Sequence, residues 1–159
     1  MRFKLLMLFL TTIFASNIIA QSTEDLDNHE HHKNEIGVAN SLVYFVQEKV
    51  FAYGLHMHYV RNITKSKLGL GLGYERIFDE HRHNTIGLVA AYRPIENLSV
   101  NVSPGLSFED GDQELSFALH LETSYEFEIK NFHIGPAIEF AHDPKDIHIS
   151  IGVHIGYGF

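Results

Sequence analysis

The 159-residue chain contains no cysteine and no tryptophan. Without cysteine it can have no disulfide framework, no thiolate metal site, no cysteine nucleophile and no amino-terminal cysteine for lipid attachment. Histidine and carboxylate side chains are therefore the metal ligands that the sequence offers.

Positive charge is also scarce. The sequence has 12 lysines and arginines against 20 aspartates and glutamates, which gives a formal net charge of −8. An acidic chain repels the phosphate backbone at long range, so the composition excludes a nucleic-acid partner. Histidine is abundant by contrast, with 12 residues.

Long apolar runs are confined to the amino terminus. Two positive charges in Met1–Lys4 precede an apolar stretch over Leu5–Ala15, and small residues follow up to Ala20. This pattern predicts a secretory signal peptide over residues 1–20. No later segment is apolar for the 18 or more residues that a transmembrane helix requires. Residues 21–34 contain few apolar side chains and are predicted to form a flexible acidic, histidine-rich lead-in.

Residues 35–159 alternate between large apolar and small residues in eight segments, which is the period of a β-strand with two unlike faces. Between Leu68 and Tyr74, for example, a glycine separates each large residue from the next. The second face consists of glycine, alanine, serine and histidine, and the lysines lie outside the strands. Such a face is too small and too uncharged for a solvated exterior, but it suits the interior of a narrow barrel. The sequence therefore predicts an all-β fold, an eight-stranded antiparallel transmembrane up-and-down β-barrel whose apolar face meets lipid.

Strand length and aromatic placement agree with this interpretation. The apolar face from Leu115 to Phe127 spans about 40 Å along the strand, or about 30 Å of height when tilted, enough for an apolar band of about 25 Å. Aromatic residues fall near both strand ends, where two interfacial girdles are expected. One predicted girdle contains Tyr59, Tyr92, Phe127, Phe132, Tyr157 and Phe159, and the other contains Tyr44, Phe51, Phe78, Phe108, Phe117 and Phe140.

In this pattern the chain resembles the small eight-stranded outer-membrane β-barrels of Gram-negative bacteria, of the type of the outer-membrane protein A transmembrane domain and outer-membrane protein X. The resemblance covers roughly residues 35–159. Tyr157 and the terminal Phe159 resemble the signal that the barrel assembly machinery reads in that family, although His154 stands where a glycine is usual. The resemblance implies a monomer in the cell outer membrane, in contact with membrane lipids and lipopolysaccharide.

Two prolines lie inside predicted strands. Pro104 and Pro136 each remove a ladder hydrogen bond, and each stands beside a glycine. We expect a β-bulge at each of these positions.

Histidine is the one excess that a barrel does not require. Six histidines have the parity of the inner face, and they share it with four glutamates and one arginine: His56, His58, His120, His133, His148, His154, Glu75, Glu122, Glu126, Glu139 and Arg93. Such a column could bind zinc, copper or nickel, or it could form a hydrogen-bonded plug. The predicted ligands in the lumen are His56, His58, His120, Glu122 and His154. Which of them meet depends on the barrel shear, which the sequence leaves open.

Two further groups are candidate cation sites. In the lead-in, His29, His31 and His32 form a tract that is typical of metal binding, although it could equally be a solvated tail. Near the predicted outer loops, a second group could hold Ca²⁺ or Mg²⁺ against lipopolysaccharide phosphates, or could form a hydrated rim. This group contains Asp79, His81, His83, Asp110, Asp112, His142, Asp143 and Asp146.

An enzymatic function is not favoured. His148 and Ser150 are similar to the His-x-Ser pair of lipid A deacylases, but both have inner-face parity and no glutamate follows them. We therefore predict a non-enzymatic outer-membrane barrel that handles a divalent transition metal. The alternatives are a lipid A-modifying enzyme, a purely structural barrel without a ligand, and a soluble periplasmic barrel for an apolar ligand.

Overall fold

The computed structural model describes residues 32–111 and 114–159. The predicted signal peptide, His29, His31 and Asp112 lie outside these residues. The described chain contains the strands β1 (Asn34–Phe45), β2 (Val50–Asn62), β3 (Leu68–Phe78), β4 (His83–Ile95), β5 (Leu98–Glu109), β6 (Ser116–Tyr125), β7 (Phe127–Ile129), β8 (Phe132–His142) and β9 (Ile147–Gly158). Within the described ranges, no helix is long and apolar enough to cross a membrane.

The strands form one closed antiparallel sheet. Each pairs with the next along the chain, and β1 pairs with β9 from Glu35↔Gly158 to Phe45↔His148. β6 and β7 are two parts of one barrel strand that is interrupted at Glu126, and both pair with β8. The result is the predicted eight-stranded up-and-down barrel. Closure leaves no unpaired strand edge, which lipid would not tolerate.

The two faces of the sheet have the predicted polarity, and they are inverted relative to a soluble protein. Large apolar side chains cover the outside; Leu42, for example, is 57% exposed and Leu88 is 63% exposed. The interior contains buried polar residues such as Asn101, Glu122 and His154. Soluble proteins bury apolar and expose charged side chains, whereas transmembrane barrels have a polar interior and an apolar outer band. The exterior therefore suits hydrocarbon.

Aromatic rings pack together on the outer surface near both strand ends. Tyr44 and Phe51 lie 4.8 Å apart between ring centroids at one end. At the other end Tyr157 lies 4.8 Å from Phe132 and 6.1 Å from Phe159. Rings of this kind favour the headgroup region, as the two predicted girdles require.

The predicted bulges at Pro104 and Pro136 are absent, and this part of the sequence analysis was wrong. Pro104 pairs in regular register with Leu119, and Pro136 pairs in regular register with Val153. The one register shift between paired strands in the described chain lies between Tyr92 and Ile95.

The missing proline N–H is accommodated by loss of pairing on one side only. The paired positions of β4 and β5 run from Gly87↔Gly105 to Ala90↔Val102 and omit the two residues next to Pro104. Pro136 lies beside the interruption at Glu126, where β6 ends and β7 begins. Because proline has no N–H to donate, a local gap in the ladder costs less than an inserted residue would.

Candidate metal-binding site in the barrel lumen

The predicted inner-face histidines and carboxylates all project into the barrel and are buried, as parity requires. His56, His58, His120, Glu122 and His154 are each no more than 6% exposed. The cross-strand register then divides these residues and their neighbours into three groups.

The first cluster combines four ligands from four strands: Glu75 of β3, His120 of β6, Glu139 of β8 and His148 of β9. One ligand atom from each lies within 4.8 Å of the others. His120 Nδ1 is 3.2 Å from Glu139 Oε1 and 3.6 Å from Glu75 Oε2, which is itself 3.7 Å from His148 Nε2. A tetrahedral zinc site with bonds of 2.0–2.1 Å has ligand-to-ligand edges of about 3.3 Å. The measured edges are close to that value.

The second cluster consists of His56 and His58 on β2 and Glu122 on β6. His56 Nδ1 lies 3.3 Å from Glu122 Oε2 and also 3.3 Å from Glu139 Oε2 of the first cluster. The predicted two-histidine nucleus on β2 therefore has a carboxylate partner from across the barrel.

The third cluster consists of Glu126, His133 and His154. Glu126 Oε1 lies 3.2 Å from His154 Nδ1, and its Oε2 lies 3.6 Å from His133 Nε2. This cluster adjoins Glu35, whose Oε1 is 3.7 Å from His133 Nε2.

Imidazole rings connect the three clusters in one column. The ring centroids of neighbouring members are 5.1–6.5 Å apart, in the order His148, His120, His56, His58, His154 and His133. Phe45 closes the column beside His148, with 5.4 Å between the ring centroids. With Val43 and Ile77, Phe45 forms a small apolar cluster at this end of the lumen.

Several ring nitrogens in the column have no hydrogen-bond partner. Both nitrogens of His148 and His154 are buried and unpaired, as are His56 Nδ1 and His120 Nε2. Buried polar atoms are normally hydrogen-bonded, so a fully satisfied plug does not describe this interior. The carboxylates are near but badly directed for hydrogen bonds. Ligands of one ion point at a common centre rather than at each other, which accounts for contacts of this kind.

A small cavity adjoins the first two clusters. It has a volume of about 10 Å³ and is lined by His56, Gly73, Glu75, Thr85, Gly87, Ser103 and His120. That is approximately the space that one water molecule needs. A Cβ atom added at Gly73 would lie 3.1 Å from His56 Nε2, so the glycine keeps this space open.

The grouping differs from the simplest expectation. His120 and Glu122, two residues apart on β6, serve different clusters, and His154 serves the third. Glu75, Glu139 and His148 were assigned to the inner face but not to the ligand set. Their role depends on cross-strand register, such as the His56↔Glu75 and Glu122↔Glu139 pairs. His32 is exposed and belongs to none of the clusters found in the described chain.

The rim carboxylates at the other candidate site are engaged by neighbouring groups. His83 donates its backbone N–H to Asp79 Oδ1 at 3.1 Å, and its ring Nδ1 is 2.6 Å from Asp79 Oδ2. Arg76 donates to Asp110 at 3.0 Å. Burial raises the pKa of Asp110, but hydrogen bonds from Arg76 and Asn84 outweigh it and hold the pKa below its ordinary value. Asp143 Oδ1 accepts the backbone N–H of Asp146 within the last turn.

His148 and Ser150 both face the lumen, at 5% and 3% exposure. A lipid substrate on the outer surface would not reach them. Their position is therefore unlike that of a membrane-facing hydrolase pair.

No family model and no curated protein matches the sequence. Solved structures do match the fold. Neisserial surface protein A is 10% identical with a TM-score of 0.54, over 79% of this chain and 96% of that one. The attachment invasion locus protein of Yersinia pestis is 17% identical with a TM-score of 0.53, over 79% and 96%. The N-terminal β-barrel domain of Pseudomonas aeruginosa OprF is 17% identical with a TM-score of 0.50, over 82% and 100%.

At these identities the similarity concerns the fold alone. The chain has the architecture of the small eight-stranded outer-membrane barrels, which confirms the resemblance drawn from the sequence.

Proposed function

We propose that this protein is a non-enzymatic, integral outer-membrane barrel that binds a divalent transition metal, zinc, copper or nickel, inside its lumen. The observation that carries the proposal is the convergence of Glu75, His120, Glu139 and His148 from four strands. Imidazole and carboxylate are good ligands for these borderline ions, and the measured edges suit tetrahedral coordination.

The outer-membrane location rests on the apolar exterior and on the fold shared with outer-membrane proteins. In this proposal lipids and lipopolysaccharide surround a monomer, and the barrel assembly machinery recognises Tyr157 and Phe159. Export depends on the signal peptide over residues 1–20. In the lead-in, His29, His31 and His32 capture the ion before it reaches the lumen.

The metal proposal is tested on the mature chain refolded in detergent. The protein is equilibrated with Zn²⁺, desalted and analysed for bound metal. We expect retained zinc in a variant whose lead-in carries His29→Ala, His31→Ala and His32→Ala. Adding His120→Ala and His148→Ala to that variant removes the zinc of the first cluster.

The matched control replaces His81 and His142, which are both exposed, by alanine in the same lead-in variant. It removes as many imidazoles but leaves the first cluster intact, so its zinc content should not change. Equal zinc loss from both double variants, or no bound zinc in the unaltered protein, contradicts the proposal.

The membrane proposal is tested by gel migration and solubility. A folded barrel in detergent migrates differently before and after boiling, and we expect this shift. A protein that stays soluble and monomeric without detergent contradicts membrane insertion and favours the soluble barrel.

A further inference from the structure

Glu139 presents its two carboxylate oxygens to two different clusters. Oε1 lies 3.2 Å from His120 Nδ1 of the first cluster, and Oε2 lies 3.3 Å from His56 Nδ1 of the second. Glu139 is 5% exposed and sits between the two groups in the wall of β8. A carboxylate placed in this way can bind one ion through each oxygen.

We propose that the lumen holds two divalent transition-metal ions bridged by Glu139. This inference rests on the proposed metal-binding function and deepens it. One ion is bound by Glu75, His120 and His148, and the other by His56, His58 and Glu122. Glu139 supplies the fourth ligand of each.

The register of the barrel interlocks the two clusters. Glu122 lies directly opposite Glu139 on the β6 and β8 pair, and His56 lies directly opposite Glu75 on the β2 and β3 pair. Each of these cross-strand pairs contributes one residue to each cluster. Opposed residues in an antiparallel sheet have Cβ atoms about 5 Å apart, so the two ions are held near the separation of roughly 4 Å that bridged pairs adopt.

The charge inside the barrel also fits two ions. Five strand carboxylates are buried in the described part of the lumen, namely Glu35, Glu75, Glu122, Glu126 and Glu139, together with one arginine, Arg93. With neutral imidazoles this leaves four uncompensated negative charges. Buried charges are costly unless they are paired or coordinate metal. Two divalent ions neutralise the lumen, whereas one ion leaves half of the excess.

Copper provides the direct test because each Cu²⁺ carries an unpaired electron. The probe is Cu²⁺ added to the refolded mature chain in which His29, His31 and His32 are alanine. Two ions that share Glu139 couple magnetically, so the paramagnetic resonance spectrum should contain a half-field transition or fewer spins than bound copper ions. Ions in separate sites give simple additive spectra.

Glu139→Gln should abolish the coupling and weaken copper binding by about tenfold or more. Glu126→Gln is the matched control, because it removes a buried carboxylate of the third cluster and should leave the coupling intact. Gel migration before and after boiling reports whether each variant has folded. The coupling in the unsubstituted lumen remains a decisive measurement if Glu139→Gln does not fold.

The outcomes separate the two proposals. Two or more uncoupled copper ions, or a single ion at saturation, would overturn the bridged pair and leave metal binding in place. A folded barrel that binds no copper or zinc would overturn both. Coupling that survives in folded Glu139→Gln would assign the bridge to another residue and also contradict this inference.

Discussion

Arg93 and Glu35, 58 positions apart in the sequence, form an ion pair inside the barrel. Arg93 also donates to Asn62 Oδ1 at 2.6 Å. The guanidinium lies at the register shift between Tyr92 and Ile95, and a bulge of this kind re-aims a side chain. Of the ion pairs found in the described residues, it is the one between arginine and carboxylate that is buried on both sides.

Removing the arginine alone should be costly. Arg93→Met leaves the Glu35 carboxylate buried without its partner, and loss of one member of a buried pair costs about 3–5 kcal/mol. We expect the free energy of unfolding in urea, measured in detergent or vesicles, to fall by that amount. The double variant Arg93→Met with Glu35→Gln should recover most of the loss. Equal destabilisation in the single and double variants would show that the charge pair is not the cause.

Arginine on the outer face distinguishes lipid from water. Leu88 lies in the middle of β4 and is 63% exposed, and Ile95 ends the same strand at 59% exposure. In a bilayer, Leu88→Arg should cost about 2–4 kcal/mol and Ile95→Arg about 0–1 kcal/mol. The folded fraction in urea, measured on unboiled gels after folding into vesicles, gives both values. Two small and equal effects would indicate that this face meets water.

Close strand packing at glycine gives a graded prediction. A Cβ at Gly152 would lie 2.0 Å from the Asn40 carbonyl oxygen on the neighbouring β1, so Gly152→Ala must displace backbone. We expect it to destabilise the barrel by about 3 kcal/mol or more, the upper range for overpacking. At Gly73 the nearest atom is a histidine ring nitrogen at 3.1 Å, so Gly73→Ala should cost about 1 kcal/mol. Urea midpoints compare the two; a reversed order would contradict this packing.

The Asp79 carboxylate should titrate at unusually low pH. Burial raises its pKa, but the backbone N–H and the ring of His83 outweigh burial, and the pKa lies below the ordinary value of 3.8. The stability this contact contributes is therefore complete above about pH 4 and is lost as the pH falls through the lowered pKa. His83→Gln keeps the backbone N–H but removes the ring charge, so the pKa should rise towards 3.8. A carboxyl NMR titration measures both midpoints, and an unchanged midpoint would exclude the ring as the cause.

Much of the fold follows from local alternation. Leu68–Tyr74 and Ile147–Phe159 show strict period two, and each histidine predicted to face inwards is buried. Parity depends only on the pleat of one strand, so it can be assigned without tertiary information. The first strand alternates less cleanly, and for that reason the inward position of Glu35 was missed.

The grouping of ligands could not be predicted in the same way. His120 and Glu122 share one strand and one face, yet their partners are set by which residues of β2, β3, β8 and β9 stand opposite. That relation depends on barrel shear, which a single sequence does not specify. The proline bulges failed for a similar reason, because Pro104 and Pro136 lose pairing with one neighbouring strand instead of adding a residue.

Anomalous diffraction at the zinc edge, from crystals of the refolded protein equilibrated with Zn²⁺, tests the central claim most directly. Metal coordination by the lumen predicts anomalous density enclosed by Glu75, His120, Glu139 and His148, with a second peak beside His56 on the other side of Glu139. Anomalous density confined to the rim or to the outer surface, with none in the lumen, would contradict it.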